Sequence, residues 1–260
     1  MTDTPHFHDE QPTILAGRHP VEEALRDSPG RVLNVLVLRG HKGGPTDRIL
    51  DACRASGVRF KLAEKAELDR LYKGPHQGVV ALLAPMENVT LDDLTTAMEK
   101  APLPLIVALD QVQDPHNVGA LARTLLALGG AGLILPKHGA ARLGPGALKA
   151  SAGALSRLPV ARVTNLAQAL DALAMHGLEI HCASTGPGAT SCYEARLDLP
   201  AVLVLGNEGQ GVRPGVAKRC GSRLTIPMTG GFDSLNVAQA GAILISHFAR
   251  AALQPRGSGR

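Results

Sequence analysis

"LPLIVALDQVQDPHNVGALARTLLALGG" (residues 103–130) opens with eight residues that are almost wholly apolar, Ile and Val among them. That is the pattern of a short strand buried on both faces. Asp114 then supplies a helix N-cap, and Pro115 fits the first helical position, where a missing N–H costs nothing. The Ala/Leu-rich run that follows reads as a helix and stops at Gly129 and Gly130. A doubly buried strand leading into a covering helix is the unit of an α/β fold with largely parallel sheets.

The same unit recurs on both sides of this stretch. Downstream, "AGLILP", "LPVARVT", "LEIHCAS", "AVLVLG" and "SRLTIPM" read as strands, while "GPGALKASAGALSR", "NLAQALDALAMHG" and the run 235–253 read as helices. Upstream, the strands are "LNVLVLRG", "GVRFKLA" and "GVVALLAP", and the helices "HPVEEALRD", "PTDRILDACRAS" and "EKAELDRLY". Two α/β units result, 13–85 and 104–254, with 86–103 as a linker that carries a short helix of its own. No repeat period is visible.

Composition narrows the function. The 260 residues include no Trp, two Tyr and four Phe, which disfavours a reader that stacks single-stranded bases on aromatic platforms. The net charge is +4, with 14 Lys/Arg against 8 Asp/Glu in 101–260 and 12 against 8 in 13–85. Two basic bodies joined by an acidic segment suit a polyanionic partner, as does a mildly basic enzyme. Cys53, Cys182, Cys192 and Cys220 show no metal-type spacing, so they read as idle thiols in a reducing compartment, and no metal is expected. His6 and His8 lie in a polar, acidic start without a signal-type apolar run, and no stretch is long enough to cross a bilayer, which points to the cytoplasm.

Three strand-to-helix edges gather polar residues and glycines, where a parallel sheet places its functional groups. The first holds Asn117 and Arg123, six residues apart and so about 120° around a helix. Arg123 is the one charge on an Ala/Leu surface. The second, "AVLVLGNEGQGV", leads a buried strand into a glycine-dense loop with Asn207 and Glu208, and matches neither a P-loop nor G-x-G-x-x-G. The third is "LTIPMTGGFDSLN", in which Ser234 or Asp233 is a candidate cap for the last helix and the helix start a candidate binding site.

Together, in this order, the loops resemble the SpoU/TrmH (SPOUT) family of S-adenosylmethionine-dependent RNA 2′-O-ribose methyltransferases. Asn117 with Arg123 looks like the family's first motif, "GNEGQG" with Glu208 its second, and "IPM" followed by Ser234, Leu235 and Asn236 its third. In 13–85, "LAGRHPVEEAL" and "PHQGVVAL" look like the substrate-binding domain of the RlmB-like branch that modifies large-subunit (23S) ribosomal RNA. After "SLNV" the chain has Ala238 and Gln239 where relatives often have Ser-Val, a departure inside the helix.

The resemblance implies a C-terminal α/β knot domain, its end threaded through a loop as a deep trefoil knot, and a smaller N-terminal α/β substrate-binding domain. It implies a homodimer formed through the knotted domain and methylation of a guanosine of 23S rRNA. Catalysis falls to Arg123 with Asn117, Glu208, Ser234 and Asn236. S-adenosylmethionine is expected against Thr185, Gly186, Leu205, Gly206, Asn207, Gly209, Ile226, Met228 and Leu235. Arg18, His19, His76 and Gln77 are candidates to grip RNA, although "GRHP" also serves as a helix entry and "HQG" as a tight turn. Transfer RNA is the alternative substrate. A non-catalytic RNA-binding module is the alternative from another class, and it would have damaged motifs, whereas all five residues stand. A nucleotide-binding dehydrogenase needs a G-x-G-x-x-G turn that the chain lacks.

Overall fold

The structure, a computed structural model, describes residues 12–40, 44–86, 88–231 and 233–253. His6, His8 and the C-terminal "QPRGSGR" lie outside these residues.

The first unit is a four-stranded sheet in the order β1 (Thr13–Ala16), β4 (Val79–Leu83), β2 (Val32–Leu38), β3 (Phe60–Ala63). Helices α1 (Arg18–Asp27) and α2 (Pro45–Ser56) cover one face, where Val21, Leu25, Ile49 and Cys53 meet Val35 and Val37. Helix α3 (Lys65–Leu71) covers the other through Leu68, packed on Leu36 and Val80. Only the β2/β3 pair is parallel; β4 runs antiparallel to both β1 and β2. The expectation of largely parallel sheets is thereby corrected for this unit. Strand β1 was not anticipated, because "TILA" is too short to show a period.

The second unit is a seven-stranded sheet in which every pair is parallel: β7 (Val160–Val163), β6 (Gly130–Pro136), β5 (Leu103–Asp110), β10 (Ala201–Gly206), β8 (Glu179–Ala183), β11 (Ser222–Thr225) and β9 (Thr190–Ser191). Alternate residues of the central strands feed two cores. Leu105, Val107, Leu109, Leu203 and Leu205 meet α5 (Pro115–Ala127), α6 (Pro145–Ser151) and α9 (Val237–Leu253). Ile106, Ala108, Val202 and Val204 meet α4 (Leu91–Lys100), α7 (Leu166–Met175) and α8 (Pro214–Ala217). Gly119 lets α5 and α6 cross closely, since a Cβ there would stand 2.5 Å from the Ala147 carbonyl oxygen.

Segment 86–103 is more than a tether. Thr90 and Asp93 form a reciprocal capping box at the start of α4, and Leu94 and Met98 are buried in the second core. The helix expected over 144–157 ends instead at Ser151. Ala152 and Gly153 both take positive φ, and a single 3-10 turn follows at Ala154–Ser156. The two units meet where Arg31 donates to the Ser156 hydroxyl at 3.1 Å and Gly153 abuts Asp27. All four cysteines are free, and burial pushes the Cys53 thiol up to about 11. Among the described residues no helix is long and apolar enough to cross a membrane.

Candidate functional site

From β5 the chain builds outward through β6 and β7, then crosses to β8 and returns to place β10 between β5 and β8. The direction of building therefore reverses at the β5/β10 pair. A parallel sheet opens a crevice at the C-terminal ends of such strands. Here those ends are Asp110 and Gly206, directly paired.

The loop after β10 closes on itself. Asn207 and Gly211 exchange backbone hydrogen bonds at 3.1 and 2.8 Å, and the Asn207 side-chain oxygen accepts from the Gly209 N–H at 2.9 Å. A Cβ on Gly206 would lie 2.2 Å from the Gly211 carbonyl carbon, so the two backbones touch there. Two clamps fix the loop to β5. The Asn207 amide donates to the Gln111 carbonyl at 3.2 Å, and the fully buried Asp110 carboxylate accepts from the Arg213 N–H and Nε, each at 2.8 Å. The buried charge is thus paired and hydrogen-bonded, the condition under which it is tolerated.

Glu208 stands at the tip of this loop. Its Oε1 accepts from Asn117 Nδ2 at 3.0 Å, from Asn236 Nδ2 at 2.7 Å and from the Val237 N–H at 3.3 Å, and Asn236 Nδ2 also reaches Asn117 Oδ1 at 3.0 Å. Residues separated by 91 and 119 positions in the chain form one cluster. Asn236 caps α9 as well, its Oδ1 accepting from the Ala238 N–H at 2.9 Å. The cap is therefore neither Ser234 nor Asp233, as the sequence suggested, and α9 begins at Val237 rather than at Leu235. A carboxylate beside a helix N-terminus is also favoured by the helix dipole.

Beside the cluster lies a cavity of about 500 Å³, within the range of small-molecule sites. Thr185, Gly186, Leu205, Gly206, Asn207, Gly209, Ile226, Met228 and Leu235 all line it, as do Glu208 and Ser234. Its walls pair apolar side chains with close-packed glycine backbone, the surface a flat heteroaromatic ring and a polar chain require. Cys182, Ser184 and Arg223 line it too and were not singled out from the sequence. A hydrogen bond from the Cys220 thiol holds the Cys182 thiol below its ordinary range.

Arg123 is not part of the cluster. It is exposed on α5, makes no hydrogen bond or ion pair with the described residues, and does not line the cavity. Asn117, Glu208 and Asn236 orient one another rather than Arg123, for the helical reason already given: Arg123 lies about 120° around the helix from Asn117.

The four N-terminal candidates share one corner, with different duties. Arg18 donates Nε to the Gln77 carbonyl at 3.1 Å, while its N–H meets Gln77 Oε1 at 3.2 Å; Gln77 takes φ 52°. His19 is exposed beside Glu23. His76 is buried with both ring nitrogens engaged, by the Gly78 N–H at 3.0 Å and by Asp69 at 3.0 Å. The expectation that His76 grips a ligand is thereby corrected: it shapes the turn that presents Arg18 and Gln77.

Residues 104–246 match the model of the SpoU rRNA methylase family, and residues 14–89 match that of the RNA 2′-O ribose methyltransferase substrate-binding domain. The chain belongs to the SpoU family. A TrmH family tRNA/rRNA methyltransferase of Staphylococcus haemolyticus is 35% identical over 234 residues, which cover 89% of this chain and 93% of that protein. A TrmH family RNA methyltransferase of Porphyromonas gingivalis superposes with a TM-score of 0.71 at 29% identity, over 93% of this chain and 90% of its own. The SpoU methyltransferase AviRb of Streptomyces viridochromogenes, solved in complex with AdoMet, shares the fold with a TM-score of 0.77 at 24% identity, covering 96% of this chain and 92% of that one. As a SpoU-family member the protein is a methyltransferase of RNA.

Sequence reading overlooked Asp110, Gln111 and Arg213. The available signal was a charged residue closing each buried strand-and-loop unit, "ALDQ" and "GQGVR".

Proposed function

We propose that the protein transfers the methyl group of S-adenosylmethionine to a ribose 2′-hydroxyl of RNA, with a guanosine of 23S ribosomal RNA as the target. The observation that carries this reading is the Asn117–Glu208–Asn236 cluster at the rim of a cavity lined by every residue expected to hold the cofactor. The match of 14–89 to a 2′-O ribose methyltransferase substrate-binding model supports ribose as the acceptor. When bound, S-adenosylmethionine supplies an already activated methyl group on a sulfonium.

The chain's own task is alignment and management of one proton. Leu205, Ile226 and Leu235 hold the cofactor's apolar surface, and the backbone about Gly206 and Gly209 approaches it closely. Asn117 and Asn236, fixed by Glu208, present amide groups to the ribose. The role assigned to the Arg123 guanidinium is to bind the RNA phosphate and stabilise the alkoxide that develops as the 2′-hydroxyl proton passes to solvent water. Ser234, whose hydroxyl bonds to none of the described residues, is free to meet the same phosphate or ribose. A homodimer through the methyltransferase domain would let Arg123 of one copy complete the site of another. Helices α5 and α9 pack together there, and their ends expose Leu128 and Leu253. The trefoil threading belongs to this reading as well. Arg18 and Gln77 hold RNA at the far corner, and the cytoplasm is the place of action.

The test is single-turnover methylation of an unmodified 23S transcript, with products mapped as alkali-resistant linkages and cofactor affinity measured separately. Arg123→Lys is expected to keep the affinity and to lose most of the methylation. Near-normal methylation by that variant removes Arg123 from the chemistry. Modification of transfer RNA alone moves the enzyme to the other substrate.

A further inference from the structure

The loop after β6 offers a cation that the proposed chemistry leaves unused. Two hydrogen bonds hold this loop against β5 and its neighbours: the Ala141 N–H donates to the Val112 carbonyl at 2.9 Å, and the Arg162 guanidinium donates to the Ala141 carbonyl at 3.0 Å. Gln111 is the residue that receives Asn207 from the glycine loop. A continuous set of contacts thus runs from Glu208's loop through the end of β5 to Ala141, which is buried.

Arg142 follows directly. It is exposed and makes no hydrogen bond or ion pair with the described residues, although the residue before it is clamped through both its N–H and its C=O. A cation on a rigid base with no protein partner is arranged for an anion that comes from outside. Its position says which anion. The cavity opens on the β10, β8 and β11 side of the Asn117–Glu208–Asn236 cluster, whereas β6 lies on the opposite side of β5. If the cofactor fills the cavity, RNA must arrive from the β5/β6 side. The Ala141 N–H bonds to Val112, two residues past the end of β5, so this loop lies one strand spacing of ~4.8 Å beyond β5 and on the order of 10 Å from the chain leaving β10, which brings an arginine side chain within reach of a phosphate neighbouring the reacting ribose.

We propose that Arg142 is an RNA-positioning residue that binds a backbone phosphate next to the nucleotide being methylated. The proposal rests on the functional reading above, because it takes the cavity for the cofactor site.

The experiment measures binding of the full chain to an unmodified 23S transcript across a series of salt concentrations, with cofactor affinity and thermal midpoint followed in parallel. Arg142→Ala is expected to weaken RNA binding on the order of tenfold at low salt and to flatten the log–log salt slope by about one unit, as the loss of one phosphate contact does. Cofactor affinity and thermal midpoint should stay at wild-type values, and Arg142→Lys should restore the slope. An Arg142→Ala protein with the wild-type salt slope overturns the proposal. So does one that loses cofactor affinity or melting temperature together with RNA binding, since that is a structural role. Failure of the underlying reading looks different: the wild type binds RNA with the Arg142-dependent slope but places its methyl groups elsewhere than on the 2′-oxygen.

Discussion

Replacing Gly206 by alanine tests the site at its tightest point. The added Cβ would stand 2.2 Å from the Gly211 carbonyl carbon and 2.3 Å from both the Gly211 oxygen and the Val212 nitrogen. Ordinary contact begins at 3.4 Å, and all three neighbours are backbone, so no side-chain rotation relieves the clash. The loop must retreat by about 1 Å, because close-packed atoms do not interpenetrate. Such overpacking costs about 1–3 kcal/mol of stability. The catalytic cost is larger. The loop carries Glu208, whose bonds to Asn117 and Asn236 are 3.0 and 2.7 Å long. A further 1 Å takes them past hydrogen-bonding distance, and a misplacement of that size costs on the order of a hundredfold in rate. The same loop lines the cavity, so cofactor affinity should fall as well. Single-turnover methylation, calorimetric titration with S-adenosylmethionine and urea unfolding measure the three effects. A Gly206→Ala enzyme with wild-type rate and cofactor affinity would refute the claim that this backbone contact sets the site.

Glu208→Gln keeps the shape but replaces charge-assisted acceptor bonds by neutral ones, and should lower methylation at least roughly tenfold with a stability loss of about 1 kcal/mol; unchanged turnover would show that the cluster is a mere helix cap. Leu94→Ala leaves a hole in the second core and should cost about 2–5 kcal/mol in urea unfolding, whereas a loss under about 1 kcal/mol would mean that α4 is only a tether. Burial holds the His181 imidazole below its ordinary value of 6.5, as it does His247, while the unfolded chain takes up a proton near that value. Stability present above pH 6.5 is therefore lost as pH falls through 6.5 toward the folded values. His181→Gln should flatten that decline below about pH 6.5, and an unaltered slope in urea midpoints would exclude His181 as a contributor.

Much of this protein is written in short-range order. The apolar run 103–109 announced a strand covered on both faces, Asp114 and Pro115 announced the start of α5, and the structure shows both. The order of the three polar loops was enough to recognise the family. Local pattern said less about partners. "TILA" is four residues long, and only pairing with β4 makes it a strand. His76 looked like a polar residue in a loop, and its neighbours Asp69 and Gly78 turn it inward.

The sequence by itself therefore determined most of the elements, the cap of α5 and the kind of residue at each sheet edge, because these depend on neighbours a few positions away. Tertiary structure decided which of those residues meet. It placed β10 between β5 and β8, brought Glu208 to Asn117 and Asn236, and left Arg123 outside their hydrogen bonds. The physical reason is that a hydrogen bond across 91 or 119 residues is set by strand order and loop closure, and no window of local propensity contains it.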